Sequence, residues 1–130
     1  MLNGILKILA DRDNPLSIEL RRQYVFKIVP MLNPDGIYRG YYRVDTKGQN
    51  LNRYYTDPKL DSQPSIYAVK KTIEQQHELG KLKFYIDFHA HAGRRGCYML
   101  GNRLYGQQQV DNVLFPKLIS LNSTNFDFEP

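Results

Sequence analysis

Cysteine is nearly absent: Cys97 is the only one in 130 residues. A disulfide framework within the chain is thereby excluded, and a reducing, cytoplasmic compartment is expected. Long apolar runs are missing too. None approaches the ~20 residues needed to span a bilayer, so no membrane partner is expected. The opening MLNGILKILA is short, carries Lys7 and lacks a small-residue cleavage pattern; it reads as a helix, not a signal peptide. There is no internal repeat and no low-complexity segment. No tract of Lys and Arg interleaves with aromatics as a nucleic-acid groove requires, so a nucleic-acid partner is not expected. Histidine is scarce as well, with only His77, His89 and His91.

What is present is an ordinary globular balance, 42% hydrophobic and 24% charged, with a formal net charge of +5. A chain of this length buries roughly two-thirds of its unfolded surface, enough for one domain or a piece of one. The basic residues gather only in pairs, at Arg21-Arg22, Lys70-Lys71 and Arg94-Arg95. They form either a solvated surface or a surface for an acidic partner, and with nucleic acid disfavoured that partner is an acidic peptide. Cys97 lies in a probable strand, Gly96 to Leu100, and reads as an inert, buried thiol.

The punctuation predicts alternating elements. A helix ends near Ala10, and Asn14 caps a second with Pro15 at its first position. Tyr24 to Val29 is β-branched and aromatic, stops at Pro30, and predicts a strand. Asn33-Pro34-Asp35-Gly36 has turn chemistry, and a long irregular segment with five tyrosines runs from Ile37 to Gln63. Loops of that length in compact domains are usually functional or disordered, and the aromatic content argues against disorder. A helix is predicted from Pro64 to about Leu79, closed by Gly80, with Ile66, Val69 and Ile73 on one face. Lys83 to Phe88 and Gly96 to Leu100 predict two further strands. Val110 to Leu121 predicts a last helix that Pro116 kinks or restarts. The expected fold class is α/β, a central mixed sheet flanked by helices.

Two constellations carry chemistry. On a strand alternate side chains share a face, so Asp87, His89 and His91 point one way if the strand continues. That spacing suits a metal whose imidazole ligand is oriented by a carboxylate, and equally a hydrogen-bonded pair at a sheet edge. A catalytic zinc needs three protein ligands and an open position. Glu74 and Glu78 are available carboxylates, but no His-x-x-Glu or His-Glu-x-x-His pattern exists, and His77 falls on a helix surface. The second constellation is Arg43 and Asn52-Arg53, flanking the turn Asp45-Thr46-Lys47-Gly48. Arginine grips a carboxylate with two parallel hydrogen bonds and an adjacent amide adds a donor. Structural salt bridges on the loop are the alternative use of the same residues.

Taken together, Asn33-Pro34-Asp35-Gly36, Tyr42-Arg43, Asn52-Arg53 and Asp87-Phe88-His89 resemble the middle of a zinc metallocarboxypeptidase catalytic domain. The resemblance is to the cytosolic carboxypeptidases, which remove glutamates from tubulin tails and similar acidic chains. It covers most of the chain, with motifs specific in combination. It implies that the domain is incomplete, a carboxypeptidase-like central segment over residues 1–130. It implies one Zn2+ ion with His89 as a ligand and His91 as a neighbour, Arg43 as the catalytic group that receives the oxyanion, and Asn52 and Arg53 as the clamp on the substrate's terminal carboxylate. It further implies polyglutamylated tubulin or other acidic tails as partners, and a cytoplasmic, microtubule-associated location. The family's remaining ligands, a His-x-x-Glu pair, are expected upstream of Met1. Its general-base glutamate is expected after the matched region, and Glu129 does not sit in its motif. Ala90 stands where the family usually has glycine between the two histidines. An internal segment of a longer enzyme is the expectation. A non-catalytic binder of acidic tails is the alternative, and a small nucleic-acid-binding domain the remote third.

Overall fold

A computed structural model of the chain describes residues 1–129, which divide into two compact units, Met1 to Phe88 and His89 onward. In the first unit, α1 (Leu2–Ala10) and α2 (Pro15–Gln23) pack on each other. Asn14 caps α2 as the sequence implies, its Oδ1 accepting from the Leu16 N–H at 2.9 Å and the Ser17 N–H at 3.5 Å. Arg21 joins the pair. Its guanidinium donates to the carbonyl of Leu9, to that of Asp11 at 3.2 Å and to the Ser17 hydroxyl at 2.6 Å. Those carbonyls end α1 without helical partners, and the arginine supplies the missing donors. Ser17 is fully buried against this joint.

Asn33-Pro34-Asp35-Gly36 forms more than a turn. It opens a short helix, α3 (Pro34–Tyr38), with Asn33 as its cap. A single turn of 3₁₀ helix, Leu51–Arg53, interrupts the long segment that follows. The helix α4 (Pro64–Glu78) begins and ends where the punctuation predicts. Gly80, at φ +65°, turns the chain so that the Lys81 and Leu82 N–H groups reach back to the Gln76 carbonyl at 2.9 and 3.0 Å. Ile66 on α4 is 1% exposed, and Pro58 just upstream is buried as well.

The expected central mixed sheet is not formed among the described residues. The segments 24–29 and 83–88 take part in no ladder among the described residues, and most of their side chains are exposed, Val25 at 88% and Phe84 at 59%. The physical reason is that β-propensity describes a residue's fit to a pleated surface, whereas a strand exists only when a second backbone accepts and donates along it.

In the second unit, residues 96–100 make only an isolated parallel bridge, Cys97 with Phe126, with the Asp127 N–H donating to the Cys97 carbonyl at 2.7 Å. Gly96, at φ +88°, lets the Asp127 carboxylate lie against its α-carbon, where any Cβ would collide. The helix α5 (Gln107–Asn122) starts three residues earlier than expected and is assigned continuously through Pro116. Gln109 Oε1 accepts from the Leu104 N–H at 2.9 Å, and Asn112 Nδ2 donates to the Asn102 carbonyl at 2.7 Å, tying the preceding loop to this helix.

Candidate functional site

The segment that bears Arg43, Asn52 and Arg53 is held by a succession of polar contacts. Asn33 works in both directions. Its Oδ1 accepts from the Gly36 N–H at 3.1 Å, and its Nδ2 donates to the Val44 carbonyl at 3.0 Å, next to Arg43. Gly36 is buried beneath this contact, and a Cβ there would lie 2.5 Å from the Val44 oxygen. Asp45 then closes a tight turn. Its Oδ1 accepts from the Lys47 and Gln49 N–H groups at 2.9 and 2.8 Å, and its own N–H donates to the Gln49 carbonyl at 2.9 Å. Such side-chain-to-backbone bonds are the ordinary chemistry of Asp in turns. Gln63, 3% exposed at the head of α4, completes the succession: Nε2 donates to Gln49 Oε1 at 2.8 Å and Oε1 accepts from the Lys59 N–H at 3.0 Å. A buried amide so satisfied fixes its neighbours, since breaking either bond strands a polar group.

On this support the three candidate residues are exposed. The Arg43 guanidinium carbon lies 5.5 Å from the centre of the Tyr42 ring, and Tyr42 itself is 84% exposed. The 3₁₀ turn carries Asn52 and Arg53, with the Arg53 N–H donating to the Asn50 carbonyl at 3.0 Å and its guanidinium to the Asn52 carbonyl at 3.3 Å. No salt bridge to Arg43 or Arg53 occurs among the described residues. Both cations and the Asn52 amide therefore face solvent from one short loop, a chemistry suited to an incoming carboxylate.

His89 is exposed and opens the second unit, while Arg43, Asn52 and Arg53 belong to the first. His91 Nδ1 accepts from the Gly93 N–H at 3.2 Å, and its ring meets the edge of Tyr98 at 5.9 Å between centres. The Arg94 guanidinium lies 4.2 Å over that Tyr98 ring and pairs with Glu129 at 2.7 Å. Among the described residues no three His, Cys, Asp or Glu side chains come together as a metal would require. The donors of this chain do not amount to a zinc site on their own, since a protein zinc takes three or four such ligands. Cys97 is half-buried, and His77 is exposed on α4.

Immediately after the clamp residues, the Tyr55 hydroxyl donates to Asp87 Oδ2 at 3.5 Å and is paired with the Tyr85 hydroxyl. Burial, followed by the neighbouring phenol and carboxylate, pushes the Tyr55 hydroxyl well above the usual tyrosine range. Burial raises Tyr85 too, although its ring is half exposed. Sequence reasoning had not singled out Tyr55, nor the Gln49–Gln63 contact. The Asn33-Pro34-x-Gly36 spacing was the one signal available, as a helix-cap signature.

No protein-family model matches the chain. Curated relatives do. Cytosolic carboxypeptidase-like protein 5 of Bos taurus is 30% identical over 215 residues, covering 99% of this chain and 24% of that protein. Human cytosolic carboxypeptidase 6 is 39% identical over 128 residues, covering 96% of this chain and 25% of that protein. Among solved structures, a metallo-carboxypeptidase from Burkholderia cenocepacia matches with a TM-score of 0.85 at 26% identity, covering 99% of this chain and 35% of that one. The chain is thus a homologue of cytosolic carboxypeptidases over nearly its whole length, and spans about a quarter of the curated relatives it matches.

Proposed function

We propose, with that homology as premise, that this chain is a central segment of a zinc-dependent metallocarboxypeptidase catalytic domain. Its parent protein removes C-terminal or side-chain glutamates from tubulin and other acidic tails in the cytoplasm. The observation that carries the reading is the loop from Arg43 to Arg53, which presents two arginines and an amide, with no ion pair to either arginine among the described residues. In this reading Arg53 and Asn52 grip the terminal carboxylate of the substrate. That grip fixes the register so that only the last peptide bond is presented. Arg43 donates to the scissile carbonyl oxygen as charge develops on it, the kind of preorganised donor whose loss typically costs about 10²–10³-fold in turnover. His89 is the metal ligand that this chain contributes. The three-donor grouping a zinc requires is not present among the described residues, so no step is assigned to the ion. The surplus of positive charge, +5, favours an acidic peptide as substrate.

The test is glutamate release from polyglutamate peptides by the full-length parent. Release is expected to depend on zinc and to be lost in the Arg43→Ala/Arg53→Ala double variant; activity retained in that variant would sink the assignment of roles. A second reading, a metal-free binder of acidic tails, is favoured by the lack of a three-donor cluster. Zinc titration of the full-length parent separates the two, because stoichiometric binding abolished by His89→Ala contradicts the binder.

A further inference from the structure

The clamp turn is anchored on its upstream side by the Gln49–Gln63 contact. Downstream, two things hold it. The Lys70 ammonium donates to the Thr56 carbonyl and ties the backbone to α4. Tyr55, two residues after Arg53, reaches a different element: its hydroxyl meets Asp87 at 3.5 Å and pairs with Tyr85. Tyr85 and Asp87 lie two residues apart, and both side chains meet the Tyr55 hydroxyl. A carboxylate and two phenols brought together from positions 32 residues apart are polar groups taken partly out of water. Such a grouping is tolerated when its members satisfy one another, and it then fixes orientation. Nothing in the proposed chemistry uses these three groups directly. None is assigned as a donor to the terminal carboxylate, and Tyr55 follows Arg53 by two positions in the chain.

We infer that Tyr55 is a positioning residue for the carboxylate clamp, its hydroxyl locked by Asp87 and Tyr85 so that the adjoining turn presents Asn52 and Arg53 in one orientation. The inference rests on the clamp reading given under the proposed function. A gripping arginine gains from two parallel bonds only when its approach angle is fixed. Tyr55 supplies that restraint from the 83–88 segment, which Lys70 does not touch in holding Thr56. The bond is long at 3.5 Å, so although its acceptor is a carboxylate its loss is worth about a two- to tenfold weakening.

The experiment measures binding of a glutamate-terminated peptide to the full chain by calorimetry, with the free carboxylate and with the C-terminal amide. Wild type is expected to prefer the free carboxylate, and Arg53→Ala to abolish the preference. Tyr55→Phe is expected to cut the preference by about two- to tenfold with the amide peptide's affinity and the far-ultraviolet dichroism unchanged. Asp87→Ala, which removes the acceptor, should give the same loss, and the Tyr55→Phe/Asp87→Ala double variant no more than either alone, the signature of one coupled unit. Absence of any preference in wild type, or its survival in Arg53→Ala, overturns the clamp reading and this inference with it. Loss in Arg53→Ala alongside full retention in Tyr55→Phe overturns the positioning role alone. If Tyr55→Phe does not fold, the Tyr85→Phe/Asp87→Ala double variant, which removes both partners of the Tyr55 hydroxyl, is read in its place, and full retention there is equally decisive.

Discussion

Replacing Gly36 with alanine probes the support of Arg43 at its narrowest point. The new Cβ would stand 2.5 Å from the Val44 carbonyl oxygen, and ordinary contact begins near 3.4 Å. It also meets the Asn33 amide. The amide is the end of a side chain and can swing away. The carbonyl is backbone, lies next to Arg43 and is itself held by Asn33 at 3.0 Å, so it must retreat by about 1 Å. That retreat breaks the Asn33–Val44 bond, worth about 1 kcal/mol. Turning the Asn33 side chain away also uncaps α3, for about 1 kcal/mol more. Residual crowding adds about 1–3 kcal/mol. The better helix propensity of alanine returns up to about 1 kcal/mol. The expected net loss is about 2–4 kcal/mol, read as a lowered urea midpoint, with amide exchange accelerated first at Ile37, Arg39 and Tyr41. A variant within about 0.5 kcal/mol of wild type, with unchanged exchange at those amides, would refute the close approach of Gly36 to Val44.

Gln63→Ala removes two buried bonds and leaves the Lys59 N–H and the Gln49 carboxamide without their partners; a loss of about 2–4 kcal/mol is expected by urea denaturation. Alkaline titration tests the phenol cluster. The Tyr55 hydroxyl holds its proton more tightly folded than unfolded, so its contribution is complete below the unfolded tyrosine value near pH ~10 and falls as pH rises beyond it. Thermal unfolding followed from pH 9 to 11 should show that decline, and Tyr55→Phe should flatten it. Arg21→Ala is expected to loosen α1 from α2 by leaving the Asp11 carbonyl without its donor and the Leu9 carbonyl with only the Ser17 hydroxyl at 3.4 Å; faster amide exchange confined to residues 2–23 is the outcome that checks it.

What could be read in advance were the features decided by nearest neighbours. Asn14-Pro15, Gln63-Pro64 and Gly80 mark helix ends because capping and a positive φ are local physics, and the structure puts α2 and α4 where they say. The start of α5 was missed because Gly106 caps it with no side-chain bond and Gln107 to Gln109 carry no apolar period. Tyr24 to Val29 has every compositional mark of a strand, yet pairing depends on a second backbone that composition does not encode. The candidate site divides the same way. Arg43, Asn52 and Arg53 stood out by residue type and spacing. The contacts holding their loop join Asn33 to Val44, Gln49 to Gln63 and Tyr55 to Asp87, across 11, 14 and 32 positions, beyond any short-range pattern.

The segments 24–29 and 83–88 set how the chain behaves in company. Val25 and Val29 on one, and Ile86 on the other, are exposed beside backbone that forms no ladder among the described residues. Such stretches are adhesive, and they recruit the nearest compatible strand, including the same stretch of another molecule. At high concentration the 130 residues alone should therefore self-associate into cross-β material with a nucleation lag, while a lysine at position 25 or 86 should act as a gatekeeper and delay it. In a cell the same exposed stretches would make the isolated chain a client for chaperones and proteases.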